Sequence, residues 1–202
     1  MGGRVQVNGA DAKDAGTDAD ACAIWITGLP GSGKTTIAEK VAESLGAKHL
    51  QLDRVRKVIT PDPDYSDKER GIVYASLAYM AHLLVDSGVC VVIDATANRR
   101  EYRDLARKLI PRFVEVYVEC PIEVCIERER VRDTGYAPVR IYAGAGKGGT
   151  VPGVDVEYEA PLRPEVVVRS DLMDADGCAD QIARYVRERK SATMDSPRMP
   201  VM

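Results

Sequence analysis

The stretch GLPGSGKTT, Gly28 to Thr36, sets glycines around a proline and a serine, then follows them with a cation and two hydroxyls. Gly28, Gly33, Lys34 and Thr35 satisfy the spacing G-x-x-x-x-G-K-[ST]. Glycines let consecutive backbone N–H groups curl around an anion with no side chain in the way. A helix opening near Lys34 adds the positive end of its dipole. In that setting Lys34 neutralises the outer phosphates of a nucleoside triphosphate and Thr35 offers its hydroxyl to Mg²⁺. The nucleotide-binding candidates are therefore Gly28, Pro30, Gly31, Ser32, Gly33, Lys34, Thr35 and Thr36, with ATP and Mg²⁺ as the expected ligands.

Further residues have types suited to a second, acceptor molecule. Asp53 and Arg56, in LDRVRKVI, follow a short apolar run. A carboxylate there can orient a hydroxyl or a metal-bound water, and an arginine can clamp an oxyanion with two hydrogen bonds. A solvated helix start is the competing reading. Asp94 ends the run VVID, a place where metal-assisting carboxylates occur. Beyond it, Arg100, Arg103 and Arg107 would share one face of a helix, with Arg99 to one side. Solvation of that face is expected. Only Arg100, nearest the strand's C-terminal edge where α/β sites lie, is a substrate candidate.

The elements that must position these residues alternate along the chain. Apolar runs of strand length are CAIWIT (22–27), KHLQL, VCVVIDAT (89–96), FVEVYVE (113–119) and EVVVRS (165–170). Helical patterns intervene: one from the glycine loop to Gly46, one from an N-cap at Ser66 to a stop at Gly88, a basic one around 99–110, and a closing one, CADQIARYVRERK. Continuous Val/Ile runs between helices predict parallel strands buried on both faces, hence an α/β, three-layer fold. Residues 129–164 break the rhythm, being charged, then Gly-rich, then Pro- and acid-rich, which predicts a flexible lid or a disordered segment. One domain is expected over 21–190, with a disordered extension at 1–20 and a flexible tail at 191–202.

Bulk properties narrow the function classes. The 202 residues are 45% hydrophobic and 29% charged with a net charge of −3, so no global field recruits nucleic acid or an anionic membrane. No apolar stretch is long enough to span a bilayer. Five scattered cysteines without zinc spacing predict buried thiols in a reducing cytoplasm rather than a disulfide or metal framework. The two histidines, His49 and His82, are isolated and expected to be packed or at the surface. A homodimer is left open.

A GTPase would need a base-reading motif such as Asn-Lys-x-Asp, and none is present. Motor and transporter ATPases are normally larger. A short chain with an early phosphate loop, a basic helix after a central strand and a late irregular segment suits a small-molecule kinase, which must exclude water from the γ-phosphate. From about Ile24 to Val168 the chain resembles the adenylylsulfate kinase family of sulfate assimilation, most specifically in GLPGSGKTT, FVEVYVECPIEVCIER and PGVDVEYEAPLRPEV. The resemblance implies a P-loop kinase-type fold and ATP-dependent phosphorylation of the ribose 3′-hydroxyl of adenylyl sulfate. It implies that Asp53 is the catalytic or metal-linked carboxylate and that Arg56 binds the substrate's anionic group. Tyr65 would stack on the substrate adenine, Arg70 would meet the phosphosulfate, and Arg128 would lie against the adenine of ATP.

Departures from the family pattern concern the acceptor. Gln51 stands at the first aspartate of the family's Asp-Gly-Asp motif and Val73 at an asparagine. The segment Asp94 to Arg100 replaces a Ser-Phe-Ile-Ser-Pro-Tyr-Arg run, keeping only its final arginine, and Val151 replaces an aromatic of the lid. Lys147 is then the candidate lid cation. Alternatives left open are a kinase acting on another nucleotide conjugate, small hydroxyl acceptor or nucleic-acid end, and an ATP-binding switch without transfer chemistry.

Overall fold

The sequence AIWIT places apolar groups on both sides of a strand, and β1 (Ala23–Thr27) is buried along its whole length. The computed structural model describes residues 20–132, 138, 140–146 and 149–194. β1 sits at the centre of a five-stranded parallel sheet with β2 (Lys48–Gln51), β3 (Val91–Asp94), β4 (Phe113–Glu119) and β5 (Val166–Arg169), in the order β2-β3-β1-β4-β5.

Alternation along β1 feeds two separate cores. Ile24 and Ile26 pack with Ile37, Val41, Val116 and Ile182, between the sheet and the helices α1 (Lys34–Leu45) and α6 (Ala175–Met194). Ala23 and Trp25 point the other way, against Val73, Leu77, Ala106 and Phe113, where α3 (Asp67–Asp86) and α4 (Arg100–Leu109) cover the sheet. Each fully buried Ile or Leu contributes about 1.5–3 kcal/mol, so both helical layers are held mainly by apolar burial. This is the three-layer α/β arrangement expected.

Two short helices complete the cleft side. α2 (Leu52–Ile59) starts directly after β2, so the expected strand KHLQL gives up Leu52 to a helix. α5 (Ile122–Val131) follows β4 and takes the first residues of the stretch read as a lid. Its Cys125 is wholly buried, but its mixed pattern of charge hid the helix period. At the start of α3 the Ser66 hydroxyl accepts from the Glu69 N–H at 3.2 Å, the cap expected there and worth about 1 kcal/mol.

The basic helix differs from expectation. Arg103 is 1% exposed, and its Nε donates to Glu115 Oε1 at 2.7 Å. It also donates to the carbonyls of Ala97 and Glu159. Arg107 bridges Glu115 and Glu165, which holds the Glu165 carboxyl below its usual range despite burial. The arginine face is therefore turned inward because β4 supplies a buried carboxylate opposite it. The segment 149–164 of the irregular part is likewise tied down: Glu159 N–H donates to the Asn98 carbonyl at 2.8 Å, and Tyr158 pairs its hydroxyl with Thr27 at 3.0 Å. Among the described residues no helix is long and apolar enough to cross a membrane.

Candidate active site

The glycine loop runs from the end of β1 into α1, at the C-terminal edge of the sheet. Its glycines are there for space as well as conformation. A Cβ on Gly28 would lie 2.5 Å from the Val118 carbonyl oxygen. One on Gly31 would collide with the Cys125 carbonyl, and Gly31 has a φ of +81°, a left-handed conformation that side chains resist. Gly33, at φ 90°, caps α1 with no side-chain partner, leaving the helix's first N–H groups to face a ligand.

Lys34 is buried and donates from Nζ to the Leu29 carbonyl at 2.8 Å. Burial lowers its pKa, and the nearby charges of Asp94 and Asp53 oppose that shift. Thr35 donates from Oγ1 to Asp94 Oδ2 at 2.6 Å, joining the loop to the end of β3. These are hard oxygen donors, the type Mg²⁺ takes when it keeps waters and phosphate oxygens as its other ligands. Asp53, in the first turn of α2, has its carboxyl pushed above the usual range, by burial first and by the Asp94 charge next.

A cleft of about 680 Å³ joins this end to the acceptor candidates. Pro30, Gly31, Gly33, Lys34, Thr35 and Thr36 line one part of it. Asp53, Arg56, Tyr65, Arg70 and Asp94 line the rest, with Arg128 also at its wall. Gly28 and Ser32 are buried and do not line the cleft. Arg100 does not line the cleft: its guanidinium meets Glu159 at 3.6 Å and the Ala160 carbonyl at 3.3 Å. Lys147 lies outside the described residues.

The acceptor-side arginines are held by other side chains. Arg56 forms an ion pair with Glu69 and lies over the Tyr65 ring, 5.0 Å from its centroid. Arg70 donates to the Tyr65 carbonyl at 3.0 Å, to Asn98 Oδ1 at 3.2 Å and to the Thr150 carbonyl at 2.8 Å. Arg128 is fixed to Ser170 by two hydrogen bonds, beside Gly33. Tyr74, another cleft residue, accepts from the Ala97 N–H at 2.9 Å, and burial pushes its hydroxyl up to about 12. Ala97 holds a φ of +43°, a strained conformation for alanine that this bond and Arg103 both pin.

Glu69, Asn98 and Arg132 take part in the site without a clear signal in the sequence. Glu69 stands three residues after Ser66, at the spacing of a capping box, but its carboxylate turns to Arg56 and to the N–H groups of Asp64 and Tyr65. Arg132 follows α5, lines the cleft, meets Glu129 at 3.7 Å and adds positive charge near Lys34 and Asp53. Glu129 is 1% exposed and accepts from the Ile141 N–H at 3.0 Å, which binds the short 3-10 turn Ile141–Gly144 to the helix.

The family model for adenylylsulphate kinase matches residues 20–169. An adenylyl-sulfate kinase of Picosynechococcus sp. is 37% identical over 170 residues, covering 82% of this chain and 93% of its own. A probable adenylyl-sulfate kinase of Pyrococcus abyssi is 37% identical over 172 residues, covering 82% and 94%. Among solved structures, the Mycobacterium tuberculosis APS kinase CysC in complex with AMPPNP and APS superposes with a TM-score of 0.73 at 29% identity, over 83% of this chain and 98% of that one. A gluconokinase from Sinorhizobium meliloti, with a TM-score of 0.62 and 21% identity over 86% of this chain and 95% of its own, shares the fold alone. With the family model over residues 20–169 and these relatives over most of its length, the chain belongs to the adenylylsulphate kinase family.

Proposed function

We propose that this chain transfers the γ-phosphoryl group of ATP to the ribose 3′-hydroxyl of adenylyl sulfate, giving 3′-phosphoadenylyl sulfate and ADP. The observation that carries the reading is one cleft lined together by the phosphate loop, two buried arginines and a pair of carboxylates. A donor polyanion and an acceptor polyanion can then be held together with a proton acceptor between them.

Each residue has a task that its surroundings support. The loop amides and the N-terminus of α1 cradle the phosphates, and Lys34 exchanges its Leu29 carbonyl for phosphate oxygens. Thr35 and Asp94, already bonded to one another, would hold Mg²⁺. When bound, that ion neutralises charge on the β and γ oxygens. Asp53, its basicity raised by burial, orients the acceptor hydroxyl and takes its proton as the new P–O bond forms and the bond to the ADP oxygen breaks. Arg56 and Arg70 grip the anionic end of the acceptor, with Tyr65 beside its base, and Arg128 flanks the donor base.

The test is ATP consumption, measured by a coupled assay, with adenylyl sulfate and with a panel of other hydroxyl acceptors. Adenylyl sulfate should stimulate consumption well above background hydrolysis. No stimulation by it would sink the assignment. A second reading, transfer to a different hydroxyl, draws on Val151 in the cleft wall and on Arg100 being engaged by Glu159 instead of facing the acceptor. Stimulation by another member of the panel alone would favour it.

A further inference from the structure

At the edge of the sheet opposite the cleft, two thiols stand side by side. Cys22 and Cys90 each immediately precede a strand, and those strands pair in register from Ala23↔Val91 onward. The Val91 N–H donates to the Cys22 carbonyl at 3.0 Å, fixing the two backbones. Their sulfurs are 4.0 Å apart. Paired strands lie about 4.8 Å apart, inside the roughly 4.4–6.8 Å between Cα atoms that a disulfide spans. Closing the bond therefore needs side-chain rotation without a backbone shift.

The electrostatics make one of the pair a nucleophile. The Cys22 thiol is placed to donate to Cys90, and Lys190 of α6 brings its Nζ to 3.2 Å from the Cys90 sulfur. Both favour the thiolate, and they hold the Cys90 thiol below the ordinary range. The thiolate is the reactive form. Cys22 and Lys190 also line a cavity of about 250 Å³, shared with Asp20, Arg112 and Arg189. Cys90 lies outside that lining and is itself only half-buried, so a small oxidant has solvent access to the attacking sulfur. The other three thiols are different. Cys120, Cys125 and Cys178 are buried, as Cys22 is, but burial pushes the Cys125 thiol up to about 12 and raises the Cys178 thiol as well.

We propose that Cys90 and Cys22 form a peroxide-reactive dithiol, with Cys90 the attacking sulfur and Cys22 the resolving one. The Cys90 thiolate attacks hydrogen peroxide: an S–O bond forms, the O–O bond breaks, and hydroxide leaves to take up a proton. The Cys22 sulfur then attacks the sulfenic acid, forming the S–S bond as the S–O bond breaks and a second water departs. One peroxide is reduced and two thiols are oxidised. The resulting disulfide staples β1 to β3 at the end of the sheet remote from the P-loop, so it leaves the kinase cleft intact. The inference is independent of which acceptor the cleft takes.

The experiment exposes the full chain to a small excess of hydrogen peroxide, alkylates the remaining thiols, and maps peptides by mass. The expected product lacks two hydrogens and joins the Cys22 and Cys90 peptides, and dithiothreitol reverses it. In Cys22→Ser a sulfenic-acid trap such as dimedone should label Cys90, whereas in Cys90→Ser neither the cross-link nor a label at Cys22 should form. Lys190→Met should slow the reaction several-fold, which a purely structural lysine would not do. Five alkylatable thiols after peroxide, a label concentrated on Cys120, Cys125 or Cys178, or an unchanged rate in Lys190→Met would overturn the proposal. Wild-type mapping alone decides the main point if a variant fails to fold.

Discussion

The two ends of the cleft are made of different materials. The phosphate end is backbone: amides shaped by glycines that cannot carry a Cβ, with Lys34 as its main side-chain charge. The acceptor end is side chains that hold one another, Arg56 on Glu69 and Arg70 on Asn98, with the strap from 149 to 164 closing the ring through the Thr150 carbonyl. A backbone nest binds any polyphosphate tail and changes little with substitution elsewhere. A ring of side chains can be retuned one residue at a time, so under the proposed function acceptor choice belongs to that end.

Breaking the donor end should have the largest effect. Lys34→Ala is expected to lower turnover by roughly 10³-fold, the scale of losing one preorganised charge at the transition state, with an unchanged circular dichroism spectrum. The coupled ATP assay checks it, and a variant with near-normal turnover would remove the phosphate loop from the mechanism.

Loosening the acceptor end from below comes next. Arg103→Ala empties one side of Glu115, which keeps only Arg107, and frees the Ala97 and Glu159 carbonyls, which should cost about 2–4 kcal/mol in urea denaturation. A loss within experimental scatter would mean that the strap is not anchored through this arginine.

The contrast sharpens with Arg56→Ala, which should raise the acceptor KM by roughly 10- to 100-fold while leaving the ATP KM alone, the size of one charge-assisted contact. Equal changes in both constants would show that the two ends are not separable. The smallest effect is one of pH. Asp53 must be ionised to act, and its pKa is raised by burial and by Asp94, so the acid limb of kcat/KM should lie above the ordinary carboxylate range. Asp94→Asn removes a like charge, lowers the Asp53 pKa and should move that limb to lower pH in whatever activity remains. A limb that stays in place would detach Asp53 from the proton transfer.

Much of the donor end was legible because its chemistry is local. The spacing from Gly28 to Thr35, the strand before it and the helix after it lie within one short stretch, so the loop and its role could be read together. The parallel sheet was legible for a related reason, since Val/Ile runs buried on both faces leave a continuous signal. Arg56 was legible from its place after the second strand, Tyr65 and Arg70 only through family resemblance, and the cleft does gather all three.

What escaped depended on partners distant in the chain. Arg103 read as solvated because Glu115 and the Glu159 carbonyl lie on other elements. Arg100 read as a site residue from its place at a strand end, but Glu159, 59 positions away, claims its backbone N–H. Glu69 carried a capping signal that hid its hold on Arg56.

The carboxylate in the middle of β4 has a consequence for assembly. Its strand presents Val114, Val116 and Val118 to one helical layer and Glu115 to the opposite one, where two guanidiniums await it. Shifting that ribbon by a single residue would drive the charge into an apolar layer and leave both cations stranded. The ion pairs thus act as a lock against mis-threading, setting one alignment of the strand apart from its neighbours.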